Sequence, residues 1–151
     1  MEATPRTGQP TPDDARVVLE IYDLRREEVM RKSRDAMVRW LPLTFDDVLA
    51  VTQFDAPNNA AFRQVSSYFE MAFGMARRGA VHAELLAENC GEGLLLFAKI
   101  HPYLEQFRGE LSPTAFQNAE WIVQNTEFGR ARFGMFQERL AGAIERAKSE
   151  Q

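Results

Sequence analysis

The chain has 151 residues, of which 45% are hydrophobic and 26% are charged, and its formal net charge is −4. These values are typical of one soluble globular domain and exclude a chain too polar to bury a core. Because 22 acidic residues outnumber 18 basic ones, no overall positive field attracts a phosphate backbone. We therefore expect no nucleic-acid partner.

Cys90 is the only cysteine, which excludes an intrachain disulfide and a metal cluster built on thiolates. This usage is typical of a reducing compartment. The N-terminal segment contains no apolar stretch resembling the core of a signal peptide, and the longest strongly apolar run, residues 94–98, is too short to span a membrane. We expect a cytoplasmic protein that has no membrane partner.

Residues 1–12 are rich in threonine and proline and predict a disordered tail, followed by a single helical domain over residues 13–151. Thr11 and Pro12 are suited to the start of a helix. No glycine or proline follows until Pro42, so this stretch forms either one long helix or two helices with a break near residues 23–27.

Two further helix starts follow. Thr44 and Asp47 have the spacing of a capping box, which predicts a short helix. Asn58 or Asn59 can cap the next helix, and Gly79 suits its left-handed end.

Residues 82–91 predict a two-turn helix that ends at Gly91, and residues 93–109 predict a longer one. The longer helix is apolar on nearly every side, so we expect it to be central and enclosed, with a kink at Pro102.

Ser112 and Pro113 predict the start of another helix. After a break near residues 125–129, a last helix runs to about Lys148. Apolar residues recur along it at intervals of three and four and predict one buried stripe: Phe133 or Phe136, Leu140, Ala143, Ile144 and Ala147.

No strand-like alternation and no internal repeat occurs in the sequence. The predicted fold is therefore an all-α, single-domain bundle of about six or seven helices.

One polar line interrupts the apolar helix that begins near residue 59. It consists of Arg63, Ser67, Glu70, Gly74 and Arg77. A line of this kind is usually the solvated edge of a core helix. Glycine is costly on an exposed helix face, however, so Gly74 favours close approach by another segment.

Two arrangements would make this line a site. If the arginine-rich segment 25–39 covers it, Glu70 becomes the counter-charge for Arg34 or Arg31. If nothing covers it, Arg63 and Arg77 flank a groove that could hold a small anion or an acidic peptide.

The sequence offers no strong catalytic or metal-binding motif. His82 lacks the further ligands of a zinc deaminase, and the His101 and Glu105 pair lacks the partner helices of a di-metal site. Cys90 is better interpreted as a packed cysteine than as a reactive thiol. A helix-turn-helix over residues 46–68 is disfavoured by its long connector and apolar second helix. We expect no metal and no cofactor.

The segments "IYDLRREEVMRKSRDAM", "NNAAFRQVSSYFEMAFGMARRGAVHAELL" and "AEWIV" resemble a family of small bacterial all-helical proteins that has no assigned activity. The resemblance covers about residues 17–125. It implies an all-helical fold and leaves the function open. It draws attention, with no roles attached, to these residues: Arg34, Asn59, Arg63, Glu70 and Gly79.

The leading hypothesis is a non-enzymatic helical domain that binds a protein partner or a second copy of itself, through its basic first helix or its last helix. The alternative is a domain that binds a small anionic ligand in an Arg/Glu-lined groove between helices. The candidate binding residues are Arg34, Asn59, Arg63, Glu70 and Arg77.

Overall fold

The computed structural model describes residues 4–151, and residues 1–3 lie outside the described part. The described residues form nine α-helices and one 3-10 turn, with no strand among them. In chain order these are α1 (Pro12–Leu24), α2 (Glu28–Arg39), α3 (Phe45–Val51), α4 (Asn59–Arg77), α5 (Ala83–Glu88), α6 (Gly91–Ile100), the 3-10 turn (His101–Tyr103), α7 (Leu104–Glu110), α8 (Gln117–Asn125) and α9 (Glu127–Ser149).

The structure confirms the predicted all-α bundle. The helix count exceeds the expected six or seven, because residues 13–41 adopt the two-helix alternative and the helix predicted over residues 93–109 divides. Residues 13–41 form α1 and α2, since Glu27 accepts hydrogen bonds from the Val29 and Met30 amides and starts a new helix. The helix predicted over residues 93–109 divides at Pro102, where a 3-10 turn separates α6 from α7.

Local capping signals in the sequence fix several helix ends. Thr11 with Asp14 and Thr44 with Asp47 both form the reciprocal hydrogen bonds of a capping box, at the starts of α1 and α3. Gly79 follows α4 with a positive φ of 80°, as its predicted role at the helix end requires. These confirmed starts and ends set the length of the helices that surround the core.

The sequence predicts a disordered tail over residues 1–12, of which residues 1–3 lie outside the described part. In its described part it forms no helix before Pro12, yet polar contacts of Arg6 and Gly8 join it to the body. The Arg6 guanidinium donates to both oxygens of the Asp14 carboxylate at 2.8 and 2.9 Å. The Gly8 carbonyl lies 2.8 Å from His82 Nε2.

Helix α6 is the enclosed centre of the bundle, as predicted. Seven of its ten residues are buried. Phe97 packs its ring against Phe116 and Phe133, with ring centroids 6.3 and 5.3 Å away, which joins α6 to the start of α8 and to α9. Gly91 opens this helix, whereas the sequence predicted that it would close the preceding one.

The last two helices correct two further predictions. Helix α8 begins at Gln117, not at Pro113, because Phe116 adopts a left-handed conformation with φ of 58° and turns the chain before the helix. The apolar stripe predicted along α9 is buried only at its start, at Phe133. Its later members are half-covered, because the second half of α9 has neighbours on fewer sides.

No helix among residues 4–151 combines the length and the apolar character that a membrane span requires.

Gly93 in α6 provides a direct test of how tightly the core is packed. A Cβ atom at this position would lie 2.6 Å from Cγ of Phe69, a fully enclosed ring. We predict that Gly93→Ala lowers the free energy of unfolding by about 1 to 3 kcal/mol because the ring must shift. Gly91→Ala is the matched control, since nothing lies within 4 Å of a Cβ atom there. Urea unfolding measures both, and equal stability of the two variants would contradict the packing described.

Asp14 in α1 provides a second test. The Arg6 guanidinium, followed by the Thr11 amide, holds the pKa of this carboxyl well below its ordinary value of 3.8. A depressed folded-state pKa contributes stability that is present above the unfolded value and is lost as the pH falls below it. We therefore predict that the stability gap between wild type and Asp14→Asn is constant from pH 7 to pH 5 and shrinks below about pH 4. A gap unchanged at pH 3 in urea titrations would contradict this account.

Candidate functional site

The second half of the polar line on α4, Glu70, Gly74 and Arg77, meets the start of α8, whereas Arg63 and Ser67 are exposed. The two oxygens of the Glu70 carboxylate accept hydrogen bonds from the backbone amides of Asn118 (3.1 Å) and Ala119 (2.7 Å). The Asn118 side-chain amide donates to the Glu70 carbonyl at 3.1 Å. Glu70 thus supplies from α4 the acceptors that the first turn of α8 lacks.

Gly74 lies directly under this contact. A Cβ atom there would be 2.8 Å from Nδ2 of Asn118. The Arg77 guanidinium donates to the side-chain oxygen of Asn118, Oδ1, at 3.3 Å. The close approach that Gly74 predicts is therefore present, but the covering element is α8 and not the arginine-rich segment.

The expected pairing of Glu70 with an arginine of α2 is wrong. Arg34 instead donates to Glu92 at the start of α6, with a distance of 2.7 Å, and Arg31 is exposed. Helix α2 buries Met30, Ser33 and Met37, and this packing turns Arg34 towards α6. Among the described residues, Glu70 forms no ion pair within 4.0 Å.

Burial and hydrogen bonding have opposite effects on the pKa of Glu70. Removal from water raises the pKa of this carboxyl above its ordinary value of 4.5, and the two amide bonds only partly oppose the rise. Each N–H group meets its own carboxylate oxygen, and in an amide or a protonated carboxyl one of these two positions would hold a donor in place of an acceptor. The two capping bonds are therefore the main reason for a carboxylate at this position.

Asn59 and Arg63 form a separate structural unit at the start of α4. The buried Asn59 side chain donates to the Val51 carbonyl at 2.9 Å, and its oxygen accepts from Arg63 Nε at 2.9 Å. Arg63 lies over the ring of Phe54. Neither asparagine caps the helix as predicted: Asn58 occupies the capping position without a side-chain bond, and Asn59 joins the end of α3 to α4.

A groove of about 370 Å³ lies beside Glu70, between α4 and the turn that precedes α8. Its lining residues are Phe62, Ser66, Ser67, Glu70, Phe107, Ser112, Thr114, Ala115, Phe116 and Gln117. The lining contains a carboxylate and several hydroxyl groups but no arginine. The five candidate residues are thus divided among three places, and the described structure does not assemble the predicted pocket for an anion between Arg63 and Arg77.

The remaining titratable candidates have structural partners or are enclosed. His82 Nδ1 accepts from the Leu85 amide and caps α5, while the His101 ring packs edge-on against Phe97 and Phe133. Burial raises the pKa of the Cys90 thiol to about 12. Within residues 4–151, no group of three metal-ligating side chains comes together.

Two residues that matter in the structure were not singled out in the sequence. Asn118 has no local signal, because its role depends on where α8 meets α4. Lys99 did have a local signal in the sequence, because it is a single cation in the apolar run "LLLFAKI". It is 5% exposed, and its ammonium group donates to the Met37 and Val38 carbonyls, both at 2.7 Å.

The outer face of α1 carries exposed apolar side chains, one of which, Tyr22, has the Arg25 guanidinium 4.4 Å from its ring centroid. Val18 and Ile21 face the body, and the Tyr68 hydroxyl donates to the Ile21 carbonyl. On the outer side Leu19 is 66% exposed and Tyr22 is 47% exposed. Exposed Ala15 precedes them by one helical turn. We call this set, Ala15, Leu19 and Tyr22, the α1 row.

These features define an all-helical single-domain bundle with structural polar contacts between its helices. A family model described as a domain of unknown function, DUF4760, matches residues 10–126, and the chain belongs to this family. The comparisons with curated proteins and with solved structures give no match. The family assignment confirms the expected resemblance to a family without an assigned activity, and the matched residues include α1 to α8 but not α9.

The Glu70 contact leads to a prediction about stability. In Glu70→Gln, the new amide has one acceptor oxygen, so the Asn118 or the Ala119 N–H loses its partner inside the bundle. We expect the free energy of unfolding to fall by about 1 to 3 kcal/mol. Glu105→Gln, at an exposed position of α7, is the control and should change it by less than about 0.5 kcal/mol. Chemical denaturation of the two variants measures both effects. Equally small effects would contradict a stabilising role for the Glu70 contact.

Proposed function

We propose that this protein is a non-enzymatic interaction domain of the bacterial cytoplasm and that it self-associates through the outer face of α1. The observation that carries the proposal is the α1 row. Large apolar side chains exposed side by side on one helix face are typical of a protein-protein contact. Exposure of the Leu19 and Tyr22 side chains to water is unfavourable, and a partner that covered them would remove this apolar surface from water.

The charges around the α1 row favour a second copy of the same chain as the partner. The charges are arranged with opposite signs at equal distances on either side of the bond between Leu19 and Glu20. Arg16 corresponds to Asp23 in this way, and Asp13 corresponds to Arg26. Two α1 helices that pack antiparallel about a two-fold axis would therefore bring Arg16 of one copy near Asp23 of the other. Arg26 lies beyond the end of α1, and Arg16 also pairs with the exposed Asp13 of its own helix.

The positions of Arg16 and Asp23 fit this arrangement. They are seven residues apart and therefore lie on the same flank of α1, about 20° apart around the helix. In a two-fold antiparallel pair, equal flanks of the two helices face each other. Each end of the contact would then hold one Arg16–Asp23 pair, with Arg16 from one helix and Asp23 from the other, beside a centre formed by Leu19.

The expected affinity is modest. Helix α1 has 13 residues, and one face of a helix this short buries less than the roughly 800 Å² per partner that is common in stable complexes. We therefore infer a concentration-dependent dimer whose dissociation constant lies in the micromolar range or above.

Three observations support a non-catalytic role in the cytoplasm. Both histidines have structural contacts, Glu70 is bound to two backbone amides, and Cys90 is an enclosed thiol. A single unpaired cysteine fits a reducing compartment. The net charge of −4 favours a protein partner over nucleic acid.

Sedimentation velocity between about 10 µM and about 1 mM tests the proposal over the relevant range of affinity. We predict that the wild-type protein shifts from monomer towards dimer, and that Leu19→Glu stays monomeric. Met71→Glu is the control, because Met71 is also an exposed apolar residue on a helix, at 42% exposure, but lies on α4. A wild-type monomer at every concentration would overturn self-association.

Charge exchange tests the antiparallel register itself. Arg16→Asp and Asp23→Arg each place like charges opposite one another and should weaken the dimer, whereas the double variant restores opposite charges in both pairs. We expect the double variant to dimerise within about threefold of wild type. A double variant weaker than either single variant would show that the two residues do not meet across the two-fold axis.

A further inference from the structure

Lys99 carries a buried charge that the described residues leave without a counter-charge. Its ammonium group donates to two carbonyls in the last turn of α2, at Met37 and Val38. No described carboxylate pairs with it within 4.0 Å. Burial lowers the pKa of this amine to about 8. An ammonium group has three donors, so capping α2 accounts for two of them.

The same side chain lines an apolar pocket of about 190 Å³ between α6, α9 and the turn after α2. The walls are formed mainly by Leu41, Pro42, Ala98, Pro102, Leu140 and Ile144. Leu140 and Ile144 belong to the half-covered stripe of α9, so this stripe forms one side of the pocket. The pocket therefore places the Lys99 side chain beside a hydrocarbon surface.

We propose that this pocket binds a medium-chain aliphatic carboxylate. The carboxylate would pair with the Lys99 ammonium group, and the hydrocarbon chain would lie against Pro42, Leu140 and Ile144. Space for about six methylene groups, the number in octanoate, is available if each takes about one water volume of about 30 Å³. Charge complementarity selects the class: a neutral amphiphile would gain the apolar contact alone, while an anion also restores the counter-charge that Lys99 lacks.

This proposal is independent of the self-association of α1, because the pocket lies on α6 and α9. The competing explanation is that Lys99 only caps the C-terminal end of α2, where a cation is favourable. That explanation requires no ligand and gives no preference for anions. The two accounts differ in how the protein discriminates between molecules that share a tail and differ in charge.

The test is a titration of the full-length protein with octanoate and, separately, with 1-octanol, followed by amide chemical shifts. We expect saturable shifts around Ala98, Leu140 and Ile144, with a dissociation constant for octanoate below about 1 mM and at least about tenfold tighter than for octanol. Equal affinity for the two molecules, or no saturable binding of octanoate, would overturn the proposal.

Two variants separate the ligand site from the helix cap. Lys99→Met should weaken octanoate binding by at least about tenfold and leave octanol binding nearly unchanged. Because Lys99→Met also removes the α2 cap, Ala141→Trp provides a second variant: Ala141 is exposed at the pocket wall, so an indole there would fill the space and leave Lys99 in place. We expect it to fold with an unchanged melting temperature and to bind neither molecule; octanoate binding at wild-type affinity in this variant would contradict the assigned pocket.

Discussion

Acidic side chains of three helices cap the starts of neighbouring helices in this bundle. Asp14 of α1 accepts from the His82 amide at the start of α5, and Glu70 of α4 accepts from two amides of α8. Glu84 of α5 accepts from the first two amides of α9, those of Glu127 and Phe128. In each case the carboxylate supplies acceptors for N–H groups without an intrahelical partner, at the positive end of the helix.

This capping between helices also positions the surfaces that we assign to binding. The contact from α1 to α5 turns Val18 and Ile21 inward and leaves the α1 row outward. The contact from α5 to α9 fixes the start of α9, whose second half then forms one wall of the Lys99 pocket. Lys99 makes the opposite type of contact, because its ammonium group donates to a carbonyl at the C-terminal end of α2. Burial disfavours the charged form of both Glu70 and Lys99, so each needs its backbone partners.

The sequence predicts what is decided locally and fails where a contact depends on distant segments. The Thr11 and Thr44 capping boxes are encoded within four residues, and both were predictable. Gly74 correctly indicated a close neighbour, but nothing local could name Asn118, which lies more than forty residues away along the chain. The predicted pairing of Glu70 with an arginine was wrong because the pattern of charges does not show which helix packs against α4. Nearly every residue has a backbone amide, so the sequence gives no sign of which amides Glu70 binds.

Hydrogen exchange of the first amides of α8 and α9 tests this account most directly. Amides in the first turn of a helix normally exchange rapidly because they lack intrahelical acceptors. The account predicts that the amides of Asn118, Ala119 and Phe128 are protected in the wild-type protein, and that Glu84→Gln releases only the amide in α9. Rapid exchange of all three amides in the wild type would contradict the claim that carboxylates from neighbouring helices cap these ends.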